Sequence, residues 1–174
     1  MARTAREALA LDRVVFSPCH RSPFKGQTTA DARQRLAMLR LALADEFASS
    51  ASASADAFDI STWELERPRP SYSWETVAHF RRRCPETEWH WILGSDQWEA
   101  IDRWAEPERL RTQLRFIVMQ RGPRAPSIRP GWRATAVPFD HPASSNAIRA
   151  AFETRKDWLT PSVATFCEQE RLYR

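Results

Sequence analysis

The chain has no long apolar run, almost no lysine and no paired cysteines, and each shortage removes a class of protein. Its longest aliphatic stretches, such as Phe116 to Met119, fall far short of the ~20 apolar residues needed to cross a bilayer. No membrane-spanning helix is expected. The first residues, MARTAREALALDR, mix arginines with Glu7 and Asp12 and lack an apolar stretch followed by a small-residue cleavage site, so they read as mature, cytoplasmic sequence. Three cysteines, Cys19, Cys84 and Cys167, form no C-x-x-C pair, which excludes a disulfide framework and a zinc ribbon. They read as buried or incidental thiols. His20, His79, His90 and His141 show no metal-ligand spacing, and no protein-held metal is expected from them. No internal repeat is present.

At 174 residues and 20.1 kDa the chain is one domain long, and residues 1–174 are expected to fold around a single core. Hydrophobic residues at 43% and charged residues at 28% exclude a disordered, collagen-like or coiled-coil chain. Lys25 and Lys156 are the only lysines, so nearly all of the positive charge behind the net +4 is guanidinium. Arginine grips phosphate through a planar fork. The arginines are interleaved with acids rather than gathered in a stripe, which disfavours a nucleic-acid binder and leaves small phosphorylated ligands.

Along the chain, apolar spacing predicts a helix over 3–11, a strand at Val14 to Phe16, and a loop from Pro18 holding Lys25. A helix beginning near Thr29 follows, capped by Thr28 or Thr29, with Asp31 in its first turn and Leu36, Leu39, Leu43 and Phe47 as its apolar stripe. After the polar stretch 48–57 come a strand over Phe58 to Leu65, a helix capped by Ser73 and running to Arg83, and a strand over Glu88 to Leu93 stopped by Gly94. Helix is then expected from Asp96 to Arg111 with a break near Pro107, strand from Leu114 to Met119, and a basic loop over 120–133. A short strand over Ala134 to Val137, a capped helix over Ser144 to Phe152 and a last helix opened by Thr160-Pro161 complete the pattern. Alternating strands and helices argue for an α/β fold, with ligands at the carboxyl ends of a parallel sheet.

Four segments that follow strands carry chemistry: FSPCHRSPFK, SYSWET, GSDQWEAIDRW and SSNAIR, joined by the strand end IVMQR and the C-terminal LTPSVATFCEQERLY. Serines at a helix start, as in SSNAIR, offer hydroxyls and free backbone N–H groups to an anion, and Arg149 stands one turn further on. The plain alternative for Ser144 is a serine N-cap. For Asp96 it is a helix cap, for Lys25 a surface lysine, for Trp104 a packed helix tryptophan, and for Tyr72 and Ser73 an ordinary cap. Asp140 and His141 near Ser144 have no nucleophile elbow and do not make a hydrolase triad.

In this order and spacing the segments resemble bacterial nicotinate mononucleotide adenylyltransferase, in the nucleotidyltransferase α/β-phosphodiesterase superfamily. The resemblance runs over essentially the whole chain. It implies a Rossmann-like, doubly wound parallel sheet. It also implies adenylyl transfer from ATP to nicotinate mononucleotide, giving nicotinate adenine dinucleotide and pyrophosphate, with Mg2+ bound alongside ATP. It further implies that Lys25 and Arg149 stabilise the reacting phosphates, and that Gly94, Asp96, Arg121, Ser144 and Ser145 join Arg149 in holding ATP. Tyr72 and Ser73 would receive the nicotinate carboxylate, and Trp104 would stack on the pyridine ring. The neighbouring Arg124, Arg129 and Arg133 read instead as a solvated face.

The sequence departs from the family pattern at two places. Asn146 stands where the family has a threonine. The family's opening strand and glycine-rich GGTFDPxHxGH turn have no counterpart, and MARTAREALALDRVVFSP matches the helix and second strand that follow them. Two readings stay open: a start codon assigned downstream of the true one, or a non-catalytic nucleotide-binding paralogue that has lost the histidine motif. The upstream reading frame distinguishes them.

Overall fold

The structure is a computed structural model that describes residues 1–21, 23, 30–49, 57–120, 122, 125–139, 141 and 143–173. The chain divides into two compact units. One is formed by Met1–Asp12 with Ser71–His141, the other by Arg13–Pro70 with Pro142–Arg174. Every strand pair in both units is parallel, as the alternation of strand and helix requires.

In the first unit the strands β3 (His90–Gly94), β4 (Arg115–Gln120) and β5 (Ala134–Pro138) pair in that order. The register sets Ile92 beside Ile117 and Met119 beside Val137. Side chains alternate between sheet faces, and the two faces of β4 therefore enter different cores. Phe116 and Val118 pack with Val77 of α3 (Ser73–Arg83), Trp98 of α4 (Ser95–Glu99) and Leu110 of α5 (Pro107–Gln113). Ile117 and Met119 pack with Ala5 of α1 (Ala2–Ala8) and Val137. Helices cover both faces, the doubly wound arrangement expected. Burying each such aliphatic side chain contributes about 1.5–3 kcal/mol relative to exposure.

Two parallel neighbours need a crossover of a dozen or so residues, and between β4 and β5 the segment 121–133 supplies it. Its described part is fastened to α4, to the turn after it and to α5. The Trp98 indole N–H donates to the Ser127 carbonyl at 2.9 Å, Arg129 donates to the Glu99 carbonyl at 2.9 Å and pairs with Asp102, and Arg133 donates to the Thr112 carbonyl at 2.9 Å. Trp132 meets Trp98 and Phe116 edge-on. Arg129 and Arg133 are thus backbone donors as well as surface residues, Arg133 exposed and Arg129 half-buried, because a guanidinium reaches backbone carbonyls with N–H groups to spare. Arg124 lies outside the described residues.

The second unit holds β1 (Val14–Phe16) paired with β2 (Phe58–Ile60). Strand β2 stops at Ile60, earlier than expected, because the Thr62 carbonyl accepts from Leu65 and Glu66 and turns the chain. The long helix α2 (Ala32–Ser49) starts at a reciprocal box: the Gln34 N–H donates to the Asp31 carboxylate at 2.8 Å, and the Asp31 N–H donates to the Gln34 side chain at 2.9 Å. Asp31 is therefore the cap, not Thr28 or Thr29, which lie outside the described residues. The α2 residues that meet the core are Met38, Leu41 and Ala42, against Phe152, Val163 and Cys167. Of the expected stripe, Phe47 lies tilted against Phe58 at 6.2 Å, and Leu36, Leu39 and Leu43 are half-buried, as Met38, Leu41 and Ala42 are. The expected final helix is α8 (Pro161–Gln169), with Thr160 before it and Pro161 in first position.

Asp45 of α2 closes the start of α8 from 117 residues away. Its carboxylate accepts the Ser162 hydroxyl at 2.6 Å and the Ser162 N–H at 2.9 Å, satisfying a helix-start donor that Pro161 leaves unpaired. The Ser162 hydroxyl, above all, holds the Asp45 carboxyl below its usual range, with the Thr160 hydroxyl and the Ser162 N–H adding to it. A carboxyl lowered in the folded state contributes stability that is complete above its ordinary value near 3.8 and is lost as pH falls through the lower folded value. Asp45→Asn is expected to lower the unfolding midpoint by a few degrees at neutral pH. The gap to the native chain should close on acidification, and midpoints measured from neutral pH down to about pH 3 check this.

Candidate functional site

Parallel α/β sheets collect ligands beyond the carboxyl ends of their strands, where loops lead into helix N-termini. Of the sequence-predicted residues that the structure describes, Tyr72, Ser73, Gly94, Asp96 and Trp104 belong to the first unit, and Ser144, Ser145 and Arg149 to the second.

In the first unit, β3 ends at Gly94, which is also the residue before α4. Asp96 lies in the first turn of α4 and does not cap it. Its carboxylate folds back over Gly94, so that a Cβ placed on Gly94 would stand 2.5 Å from Asp96 Oδ1. The absence of a side chain at Gly94 thus gives room first to Asp96. The other Asp96 oxygen accepts from Gln97 at 3.3 Å, and the residue is exposed. An exposed carboxylate at a strand's carboxyl end is placed to accept from sugar hydroxyls.

Tyr72 precedes α3, and Ser73 is the first helical residue rather than the cap expected of it. The extended backbone of Tyr72, at φ −105° and ψ 132°, turns its carbonyl to the Glu75 N–H at 3.0 Å. The N–H groups of Ser73 and Trp74 come before the first bond of the helix, and such groups suit a carboxylate. Trp104 follows the 3-10 turn Ile101–Arg103. It is half-buried, packs against the core of Trp98 and Phe116, and meets Trp91 edge-on at 6.1 Å and 81°. Trp91, alternating along β3, supports Trp104 and was not singled out by sequence. Nothing in the spacing of a tryptophan-rich chain says which pair will meet.

In the second unit, α6 (Ser145–Ala150) starts after Ser144, whose hydroxyl accepts the Ala147 N–H at 3.1 Å. The serine cap is realised, and the Ser144 hydroxyl proton stays available to an acceptor. Ser145 is exposed at the first position. Arg149 is half-exposed and donates from Nη2 to Asn146 Oδ1 at 2.5 Å. Asn146 and Arg149 therefore share one face, three residues apart. The helix gives way after Ala150 to α7 (Phe152–Arg155), so it ends sooner than the sequence suggested.

After β1, Ser17 donates to the buried Glu64 at 2.9 Å. Arg35 of α2 donates to the His20 carbonyl at 2.8 Å and so holds the backbone there. Arg35 carries no sequence signal for this role, since α2 is lined with arginines. Lys25 and Arg121 lie outside the described residues.

Two recesses open in the first unit away from these ends. One of about 310 Å3 is lined by Arg81, Glu88, Trp89, Thr112, Arg115 and Arg133, among others, and lies at the amino ends of β3 to β5. Its arginines are already engaged: Arg81 with the Gln113 carbonyl, Arg133 with the Thr112 carbonyl and Arg115 with Glu88. The other, of about 260 Å3, is lined by Ala78, Arg81, Arg82, Arg109 and Gln113. Neither contains a residue of the four segments.

Residues 1–151 match the family model described as cytidylyltransferase-like. The match takes in the whole first unit and both strands of the second. The chain belongs to the cytidylyltransferase-like family. Among its curated relatives, a Herpetosiphon aurantiacus protein named "Probable nicotinate-nucleotide adenylyltransferase" is 31% identical over 189 residues, covering 99% of this chain and 89% of the relative. A Methylacidiphilum infernorum protein of the same name is 40% identical over 116 residues, covering 66% of this chain and 52% of that relative. The fold is shared with a Plasmodium falciparum nicotinic acid mononucleotide adenylyltransferase complexed with NaAD, at a TM-score of 0.74 and 16% identity over 97% of this chain and 90% of that one.

In this cytidylyltransferase-like chain the space above Gly94 is contested, and the contest is testable. Gly94→Ala is expected to cost under about 1 kcal/mol of stability, because the atom it meets is the end of the exposed Asp96 side chain, which can swing aside. Asp96→Ala in the same chain is expected to restore most of it, a coupling that a double-mutant cycle of unfolding free energies measures.

Proposed function

We propose that this chain transfers the adenylyl group of ATP to nicotinate mononucleotide, releasing pyrophosphate and forming nicotinate adenine dinucleotide in NAD biosynthesis. The observation that carries this reading is the 31% match to a protein named "Probable nicotinate-nucleotide adenylyltransferase" over 99% of the chain, with the four segments standing after strands and at helix starts. One family model spans residues from both compact units, which supports treating residues 1–174 as one nucleotidyltransferase domain. Among the described residues no helix is long and apolar enough to cross a membrane, and we place the reaction in the cytoplasm, with ATP and the mononucleotide as the only partners it needs.

In the step proposed, a phosphate oxygen of the mononucleotide forms a bond to the ATP α-phosphorus while the bond from that phosphorus to the oxygen bridging to the β-phosphate breaks. No covalent enzyme intermediate is required. The protein's work is to hold two polyanions in line and to offset charge as it moves to the leaving pyrophosphate. Arg149 supplies a fork of N–H donors to the phosphates, and Ser144 and Ser145 add hydroxyl and backbone donors beside it. Lys25 and Arg121 complete the cationic set in this reading. Gly94 and Asp96 receive the ribose of ATP, while Tyr72 and Ser73 take the pyridine carboxylate and Trp104 faces the ring.

Among the described residues no three His, Cys, Asp or Glu side chains gather as a metal site. Mg2+ prefers phosphate oxygens and water, and in this reading it arrives with ATP and screens phosphate charge. The chemistry assigned to the residues above does not run through it.

Two substitutions test the assignment in opposite directions. Arg149→Ala is expected to weaken ATP binding by about one to two decades, the worth of a charge-assisted contact, and to leave mononucleotide binding nearly unchanged. Trp104→Leu keeps an apolar side chain against Trp91 but removes the flat face, and should weaken the mononucleotide more than ATP. Calorimetric titration with each ligand checks both, and equal losses for the two ligands in either variant would overturn the role given to that residue.

A further inference from the structure

Asn146 occupies the position at which this chain departs from the SSTxIR pattern, and its side chain is tied to the arginine of the same segment. Its amide oxygen accepts from Arg149 Nη2 at 2.5 Å, one helical turn away. Both residues lie on the outer side of α6: Asn146 is exposed and Arg149 half-exposed, while Ile148 between them packs into the core with Phe152 and Cys167. The backbone of this turn is anchored separately. Ser144 takes the Ala147 N–H, and the Ser144 carbonyl takes the Ile148 N–H at 3.0 Å. The Asn146 side chain is therefore not needed to hold the helix, and its one described bond goes to the guanidinium.

A guanidinium has five N–H donors, and the bond to Asn146 uses one. Among the described residues the rest of the fork shows no further hydrogen bond, and the bond to Asn146 chooses the rotamer in advance. An amide does this without cancelling charge, whereas a carboxylate at the same place would hold the fork and neutralise it. The positive charge is felt locally, since Arg149 draws down the Tyr173 phenol that burial otherwise pushes up. A long flexible arginine loses conformational freedom when it grips a ligand. An acceptor three residues earlier removes part of that cost beforehand.

We propose that Asn146 is a positioning residue that pre-sets the Arg149 fork for the phosphates of a nucleoside triphosphate, and that its neutrality is what selects an amide there. The inference rests on the reading of Arg149 given above and goes beyond it by assigning a role to the one residue of the segment that breaks the family pattern.

The test uses the full chain and titrates ATP, inorganic tripolyphosphate and nicotinate mononucleotide into the native protein and the variants Asn146→Ala, Asn146→Asp and Arg149→Ala, with unfolding midpoints recorded for each. Asn146→Ala is expected to weaken ATP and tripolyphosphate by about three- to tenfold, and Asn146→Asp by more than about tenfold, with mononucleotide affinity unchanged. Asn146→Asp should at the same time unfold at or above the native temperature, because it strengthens the bond to Arg149. A purely structural Asn146 would show affinity following stability, with Asp better than Ala, and that order overturns the proposal. If Arg149→Ala weakens ATP and both Asn146 variants bind like the native chain, positioning fails while the reading of Arg149 survives. If Arg149→Ala leaves ATP affinity unchanged, the reading of Arg149 falls and the proposal with it.

Discussion

Strand β4 is apolar on both faces, and the first unit is arranged to keep water from both of them. Phe116, Ile117, Val118 and Met119 are all at most 1% exposed. A strand buried on both faces cannot be served by one layer of helices, so α1 must lie on one side and α3, α4 and α5 on the other. The hydrogen-bond ladder of β4 is also committed on both edges, to β3 and β5. From this follows the geometry of the candidate site: once β3 is locked against β4, Gly94 must end where it does. The backbone that carries Asp96 toward α4 has little freedom left.

The scarcity of lysine now has a structural use beside the electrostatic one. Arg35, Arg81, Arg111, Arg129 and Arg133 each donate to a backbone carbonyl, of His20, Gln113, Gly131, Glu99 and Thr112 respectively. A guanidinium can reach across a gap and satisfy a carbonyl while its stem packs on apolar surface. Two of these carbonyls end α5, where the last turn has no internal donors. These five arginines therefore serve loops and helix ends. Net charge alone is a poor guide to which arginines meet a ligand.

The two sets of candidate residues, one in each unit, differ in how function and folding share residues. In the first unit the sharing is steric: Gly94 has no side chain, and Asp96 fills the space. In the second it is a division of labour along one turn, with Ser144 capping the helix, Ile148 anchoring it and Asn146 with Arg149 left on the outside. Such a turn can change its outer residues with little cost to the fold.

Much of this was legible in the chain order of residues. The β-branched and aromatic run at 116–119, the Pro161 start of α8 and the Ser144 cap depend on local propensities and one-turn spacing, and these act within a few residues. The family resemblance was carried by short motifs for the same reason. Where the expectations erred, the deciding contact was with a neighbour or with distant chain. Asp31 rather than an upstream threonine starts α2 because Gln34 answers it, and Met38, Leu41 and Ala42 face the core because α8 lies on that side. Strand β2 ends at Ile60 because the Thr62 carbonyl turns the chain. Asp45 capping a helix 117 residues away, Arg129 and Arg133 docking on carbonyls and Trp91 meeting Trp104 have no periodicity to reveal them. The sequence by itself determined the parallel α/β class and where in the chain the helix starts of the motif-bearing segments stand, because those follow from local pattern. Only the tertiary structure decided which side chains those residues touch, because a long-range contact exists only after the sheet has fixed the distance between its partners.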